Sequence, residues 1–334
     1  MRPATSIFWN RVESRLRTGW RITIQFLLWV YAPAVMVFIF GRPLTTTLIN
    51  GWPAIEPMAP LVVEFGLRLP AILLAIWWVT RWIDHRPFVD LGLRFSKVWW
   101  SDLSFGVVLG ALLMSLIFCI QWLVGWITIT NLLQTAPIAL PFSVTIFAPL
   151  FIFLVIGITE EIHARGYQLH NLAEGFHFSR LGTHNAVISA WLISSLLFGL
   201  LHVRNPNSTW LSTLALVVVG LFFGLGFVLT GELALSIGLH ISWNFFQGSV
   251  FGFPVSGRHF GNVTLLAINQ DGPALWTGGD FGPEAGLLGM VAILLGCVAI
   301  FWWVRYQYGT VAIDRSLACY PPMAVAPVNR KSKI

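Results

Sequence analysis

Long stretches without any charged side chain limit what this sequence can fold into. Lys, Arg, Asp and Glu are absent from residues 22–41, 103–159, 181–203, 205–231, 233–257 and 285–304. A transmembrane helix needs about 20 mostly apolar residues. These runs therefore predict seven spans, because the run 103–159 holds two, separated by the polar segment TNLLQTAPIALP. Residues 61–80 predict an eighth span, in which Glu64 and Arg68 lie one helical turn apart and can pair.

The composition excludes an ordinary soluble domain. Charged residues make up 10% of the chain and the mean hydropathy is +0.75, whereas soluble proteins average about 25% charged residues. We therefore predict an all-α integral membrane protein, a bundle of about eight transmembrane helices in direct contact with the lipid bilayer.

The net charge of +6 is explained by membrane topology rather than by a nucleic-acid partner. With a cytoplasmic N-terminus, sixteen Lys and Arg residues fall on the cytoplasmic side, and only Arg42, Arg204 and Arg258 fall outside. The cytoplasmic residues are 2, 11, 15, 17, 21, 81, 86, 94, 97, 165, 180, 305, 315, 330, 331 and 333. This asymmetry follows the positive-inside rule and predicts that both termini are cytoplasmic. The compact size of the chain favours a prokaryotic protein, so we expect it in the cytoplasmic membrane. Since the distribution of basic residues follows the membrane topology, we expect no nucleic-acid partner.

Ionisable side chains within membrane spans are energetically unfavourable and are therefore functional candidates. Four residues in the predicted fourth, fifth and seventh spans meet this description, Glu160, Glu161, His202 and His240, and the polar Asn244 lies one turn after His240. If they converged on one cavity, they would supply a general base, imidazoles that tune it and donors for an oxyanion.

Structural roles for some of these residues stay open at this point. Glu161 and Arg165 are spaced i,i+4 and could simply cap the cytoplasmic end of helix four. A single histidine such as His202 often forms an interhelical hydrogen bond. Histidines also recur every seven residues at 163, 170, 177 and 184; we interpret this spacing as coincidence or a solvated face rather than as a metal ladder.

Three spaced motifs resemble those of a known family. They are Glu160-Glu161-x-x-x-Arg165, Phe198-x-x-x-His202 and His240-x-x-x-Asn244, in this order on separate helices. Together they resemble the CPBP family, the CAAX prenyl endopeptidases of type II and their bacterial relatives, also called Abi proteins. The resemblance covers residues 143–244 and implies an active-site cavity within the membrane.

The resemblance also implies roles for individual residues. Glu160 together with His202 would activate the attacking water, and His240 with Asn244 would line the site and stabilise the oxyanion. Glu161 and Arg165 would hold the geometry. No cofactor is favoured. The alternative is a zinc-dependent metalloprotease in which Glu160, His202 and His240 are the ligands, but we expect Arg165 to occupy Glu161 and to leave both histidines without an orienting acid.

The function predicted from these features is that of an intramembrane endopeptidase acting on membrane-associated peptides or proteins. A transporter would be expected to show an internal repeat, and none is evident. A non-enzymatic bacteriocin-immunity protein with a decayed site conflicts with the intact motifs. Span counting puts Glu160 near the inner end of helix four and His202 near the outer end of helix five. The two can therefore meet only if helix four continues past Glu161 or if helix five is offset.

The predicted segments follow from the spans and the motifs. Pro283 and Glu284 suit the N-terminus of the last helix. The segments are 1–21 (cytoplasmic N-terminal segment), 22–140 (helices one to three), 141–252 (catalytic core, helices four to seven), 253–283 (outer loop), 284–306 (last helix) and 307–334 (cytoplasmic tail).

Overall fold

The computed structural model describes residues 7–135, 138, 140–178, 180–260 and 262–320, and it is built mainly from helices. Seven helices are long and apolar enough to cross a membrane. They are α1 (Thr18–Gly51), α2 (Ala59–Trp82), α3 (Lys97–Leu123), α4 (Phe142–Phe176), α5 (Gly182–Leu201), α6 (Trp210–Thr230) and α8 (Leu287–Tyr308). The predicted all-α membrane class is confirmed.

The seventh predicted span corresponds to a shorter helix, α7 (Ala234–Phe245), which has 12 residues. A five-residue π-helical segment, Phe246–Val250, continues it. All residues of α7 except Phe245 are buried. The run 233–257 is therefore apolar because α7 is enclosed by other helices, not because it is exposed to lipid.

Close helix packing fixes the position of α7. A Cβ atom added to Gly110 of α3 would lie 2.1 Å from Ser242 Oγ and 2.8 Å from Leu239 O. A Cβ atom added to Gly157 of α4 would lie 2.5 Å from Ile241 Cγ1. Glycine allows both neighbouring helices to approach α7, as small residues do at membrane helix interfaces.

Helix α4 spans 35 residues, with a turn at Ile146, and continues past Glu161, which is one of the two arrangements that would let Glu160 and His202 meet. Its second half contains a π-helical segment, Ile162–Leu169. The placement of Arg165 in a cytoplasmic connection was wrong, because this residue lies inside α4 and is buried. The reason is local pairing: Arg165 Nη1 donates to Glu161 Oε1 over 2.9 Å.

Two short antiparallel strand pairs accompany the helices. Strands β1 (Trp9–Asn10) and β2 (Arg15–Leu16) pair before α1. Strand β3 (Ile127–Gln134) pairs with β4 (Thr264–Gln270), with an irregularity between Ile129 and Asn131. The second pair joins the α3–α4 connection to the α7–α8 connection. No strand was predicted in either region.

A buried ion cluster joins the N-terminal segment to α4. Glu174 accepts from Arg15 at 2.7 Å and from Arg21 at 3.2 Å, and it also accepts from Arg86. Arg21 also pairs with Asp84 at 3.0 Å. Three of the basic residues used in the topology prediction are therefore buried partners rather than solvated charges.

Short helices complete the described fold. The C-terminal segment packs on α6, because the Asp314 N–H donates to Val228 O at 2.8 Å. The predicted polar end of the tail, 321–334, lies outside the described residues. The short helices are the four-residue α-helix Ala274–Thr277 and the 3₁₀-helices Pro53–Ile55, Phe88–Leu91, Gly279–Phe281, Pro283–Ala285 and Arg315–Ala318.

Candidate active site

A cavity of about 370 Å³ lies beside the middle of α4. All four side chains predicted to be catalytic line it: Glu160, His202, His240 and Asn244. They come from α4, from the end of α5 and from α7, so residues far apart in the sequence meet at one place. Other lining side chains include Trp29, Phe65, His163, Gln168, Ser256 and Glu284.

Glu161 and Arg165 are buried and form the support of the cavity wall. Glu161 Oε1 accepts from Arg165 Nη1 at 2.9 Å and from His240 Nδ1 at 2.7 Å. Arg165 Nη2 donates to the Gly220 carbonyl at 2.7 Å, and its guanidinium lies 4.6 Å from the Phe198 ring centroid. The carboxylate therefore fixes His240 as well as Arg165.

This contact corrects one sequence-based expectation. We expected Arg165 to occupy Glu161 and to leave His240 without an orienting acid. Instead, one oxygen of Glu161 serves both partners. Because a carboxylate only accepts, the Nδ1–H of His240 donates to it, and Nε2 is the ring nitrogen that remains for the cavity.

Glu160 occupies a different environment from its neighbour. Adjacent residues on a helix point about 100° apart, and the side chain of Glu160 is 28% exposed whereas that of Glu161 is fully buried. Glu160 Oε2 lies 4.0 Å from His240 Nε2. Glu160 is thus the carboxylate available to a substrate or a water molecule in the cavity.

His202 follows the last residue of α5 and is half-buried. Its Nδ1 lies 2.8 Å from the Phe198 carbonyl. A carbonyl only accepts, so Nδ1 carries the proton and Nε2 is a lone-pair acceptor in the neutral ring. The helix end therefore sets both the position and the tautomer of this histidine.

Asn244 lies one helical turn after His240 and lines the same cavity. Its side chain forms no hydrogen bond with any residue that the structure describes. An amide without a partner at a cavity wall can donate to and accept from a bound molecule.

The part of the chain that carries this geometry matches a known family. Residues 141–246 match the family described as type II CAAX prenyl endopeptidase, Rce1-like. The match confirms the resemblance predicted from the three motifs, and it supports an intramembrane endopeptidase of the CAAX-protease type.

The chain is also similar to a curated bacterial protein. It is 26% identical over 278 residues to the uncharacterized protein YyaK of Bacillus subtilis strain 168. This alignment covers 78% of the present chain and 86% of YyaK. No solved structure matches the chain.

The zinc alternative requires three ligands around one point. Among the described residues, no group of three or more His, Cys, Asp and Glu side chains is close enough to hold a metal ion. His202 and His240 each bind an acceptor through Nδ1, as metal-bound histidines do. Glu160, however, does not lie with the two histidines around one point. The three side chains therefore do not form a preformed zinc site.

Part of the cavity wall was not predicted from the sequence. His163 stacks on Trp29 with ring centroids 4.1 Å apart, and its Nδ1 lies 2.8 Å from Gln25 Nε2. His163 and His170 are both buried, so the interpretation as a solvated face was wrong for these two. The available signal was the position of His163, one turn after Glu160 on the same helix.

Glu284 forms the other missed feature, near the α7–α8 connection. It does not cap α8, which begins at Leu287. Its Oε1 accepts from the Ser256 N–H at 2.6 Å, and its Oε2 accepts from Gln247 Nε2. Burial raises the pKa of the Glu284 carboxyl to about 7, and these hydrogen bonds offset only part of that effect.

Proposed function

We propose that this protein hydrolyses peptide bonds of membrane-associated peptides or proteins with a water molecule activated by Glu160. One observation carries the proposal. Glu160 faces the cavity with partial exposure, whereas its neighbour Glu161 is buried and holds His240 and Arg165. The two adjacent carboxylates thus have the environments that a reagent and a support require.

In this mechanism Glu160 takes a proton from the water as the water oxygen bonds to the scissile carbonyl carbon, and it returns that proton to the leaving nitrogen as the C–N bond breaks. His202, which lines the same cavity, accepts the second hydrogen of that water through Nε2 and so orients it. A general base must lie within hydrogen-bond reach of its proton, either directly or through one water. Proton removal by a positioned base accounts for a rate factor of about 10²–10⁴.

His240 and Asn244 serve the oxyanion that forms at the scissile carbonyl. His240 donates Nδ1–H to Glu161, and its Nε2 would donate to the oxyanion whenever it also carries a proton. The Asn244 amide supplies a second donor. Donors that are already oriented stabilise developing negative charge without reorganisation, and one such donor contributes about 2.7–4 kcal/mol.

Glu161 and Arg165 act through His240 and not on the substrate. The Arg165 guanidinium neutralises Glu161 and binds the Gly220 carbonyl on α6. The pair therefore links α4, α6 and α7 and keeps His240 at a fixed place.

Fluorogenic peptide cleavage tests the proposal. The protein in nanodiscs is given an internally quenched farnesylated peptide ending in a CAAX sequence, and the same peptide without the farnesyl group. We expect Glu160→Gln to reduce the cleavage rate by about 10²–10⁴. The matched control is Glu56→Gln, at an exposed carboxylate away from the cavity. Equal rates for wild type and Glu160→Gln would disprove the role of Glu160.

A further inference from the structure

We propose that His163 and Gln168 form a subsite, called here the backbone subsite, that hydrogen-bonds the main chain of the peptide substrate beside its scissile bond. The inference rests on the proposed peptidase function and extends it. Neither residue belongs to the three motifs. Both line the same cavity as Glu160, further along α4.

The contacts of His163 determine which ring nitrogen carries its proton. His163 Nδ1 lies 2.8 Å from Gln25 Nε2. An amide nitrogen only donates, so Nδ1 accepts and the proton of the neutral ring is on Nε2. That Nε2–H is buried and has no hydrogen-bond partner among the described residues.

A buried donor without a partner is unfavourable, and such groups in native structures call for an explanation. Here the donor is held rigidly. His163 is 1% exposed, and its ring is parallel to that of Trp29 to within 14°. Gln25, which fixes the tautomer, is also 1% exposed. An ordered donor at a cavity wall is suited to a ligand carbonyl that arrives with the substrate.

Gln168 supplies the second group of the backbone subsite. It is 3% exposed and lines the cavity. Its amide makes no hydrogen bond within the described part of the chain. A carboxamide donates and accepts, so it matches a peptide group, which also presents one donor and one acceptor.

The spacing of the two residues fits an extended peptide. His163 and Gln168 are five residues apart within the π-helical segment Ile162–Leu169, whose i→i+5 hydrogen bonds place such residues one turn apart on the same side of the helix. Two residues of an extended chain advance by about 6.6 Å, and groups two residues apart point to the same side. A peptide that lies along α4 with its scissile carbonyl at Glu160 therefore presents backbone groups on one side to both residues.

Binding to a catalytically inactive protein provides the test. In the Glu160→Gln background, we expect Gln168→Met to weaken binding of the labelled farnesylated CAAX peptide about 3- to 10-fold, the usual effect of one hydrogen bond. Because the Gln168 amide has no partner within the described part of the chain, this change is not expected to disturb the fold. His163→Phe keeps the stacked ring and is expected to have a similar effect.

Two controls separate this role from general structural damage. Gln307→Met on α8 and His177→Phe, at an exposed histidine, make the same chemical changes outside the cavity and should leave binding unchanged. In the active background, Gln168→Met should raise KM with little change in kcat, which is the signature of lost ground-state binding.

Ester probes identify the peptide group that is bound. Replacing one backbone amide of the probe by an ester removes its N–H donor. With the amide probe, the protein with Gln168 intact should bind more tightly than the Gln168→Met variant. At one ester position only, this difference in affinity should disappear, as expected from a double-mutant cycle. If the ester weakened binding by the same factor at every position, the backbone subsite would be overturned.

The remaining outcomes distinguish the two proposals. If the wild type cleaves the probe and both cavity variants bind it normally, the backbone subsite is wrong and the peptidase function stands. If the wild type does not cleave the probe but binding still depends on Gln168, the chemistry is wrong and the subsite stands. Absence of both cleavage and binding would overturn both.

Discussion

At the scale of single residues, Glu160 and Glu161 show how one helical step separates two roles. The helix turns about 100° between them, which directs one carboxylate into the cavity and the other towards Arg165 and His240. The sequence alone predicted the pairing with Arg165 from the i,i+4 spacing. It did not predict the contact with His240, because that contact depends on how α4 and α7 pack.

Glu161→Gln should therefore reduce stability as well as activity. The substitution leaves Arg165 buried without its carboxylate, and loss of one partner of a buried ion pair costs about 3–5 kcal/mol. We expect a lower midpoint of thermal unfolding for Glu161→Gln and a nearly unchanged midpoint for Glu160→Gln. Purely catalytic losses of the same size in both variants would show that the two roles are misassigned.

Chelation tests the choice between a glutamate-activated water and zinc. Because the three proposed ligands do not form a preformed set among the residues that the structure describes, we expect protein purified in a chelator to retain its cleavage rate. Metal analysis of the active sample should find well below one zinc per chain. Activity that is lost on chelation and regained with stoichiometric zinc would make Glu160, His202 and His240 ligands instead.

Glu284 should make the fold less stable as the pH rises. Its pKa in the folded protein is about 7, above the ordinary value of 4.5, so the folded state binds the proton more tightly than the unfolded state. Its contribution is fully present below about pH 4.5 and is lost as the pH rises through about 7. Thermal unfolding at pH 5 and pH 8 should show this fall in the wild type and a smaller one in Glu284→Gln. An equal fall in both proteins would contradict the assignment.

At the scale of elements, the helices were predictable and the strands were not. Membrane helices are encoded by length and apolar composition within one segment. Strand β3 begins with three β-branched residues that alternate between apolar and polar, Ile127 to Ile129, but its partner β4 is remote in the sequence. So short an alternation does not reveal which distant segment will pair with it.

Helix α7 shows a second limit of reasoning from the sequence. Its run of apolar residues predicts a membrane span, yet the helix is short and enclosed by its neighbours. Hydropathy does not distinguish a lipid-facing helix from one that is buried in protein. The glycines on α3 and α4 were the signal, because close approach to α7 requires them.

Gly110→Ala should disturb the site through this helix contact. The added methyl group would meet Ser242 and the backbone of α7, and overpacking of this kind costs about 1–3 kcal/mol. We expect lower thermal stability and a lower cleavage rate, because Ser242 lies two residues after His240. Gly66→Ala is the matched control, since no heavy atom lies within 4 Å of its added Cβ. Equal stability and equal cleavage rates in the two variants would contradict the role of this contact.

At the scale of the whole molecule, the predicted topology is a separate test. The asymmetry of Lys and Arg predicts that Asn131 and Gly257 are outside and that Arg94 and Ser179 are cytoplasmic; Ser179 lies outside the described residues. Reporter fusions after Asn131 and Gly257 should give outside signals, and those after Arg94 and Ser179 should give inside signals. The burial of Arg165 does not alter the prediction, because removing this residue from the cytoplasmic count leaves the asymmetry intact. Reversed signals at two positions would overturn it.

The motifs indicated the candidate site residues but not the depth of the cavity or the residues of its walls. Glu160, His202, His240 and Asn244 were recognisable because polar groups are rare in apolar spans. His163, Gln168 and Glu284 were not, since each depends on a cavity formed by several elements. Contacts across elements are a property of packing and are not encoded in local spacing.

Strand β3 cannot pair until β4, which follows it in the chain, has been synthesised. The ribosome adds about 5–20 residues per second, so β3 waits on the order of ten seconds for its partner. During that time it is an unpaired edge, the kind of surface that attracts other chains. The segment that carries β4 also supplies Ser256 to the cavity wall. A nascent chain therefore has no complete cavity wall until this segment is made.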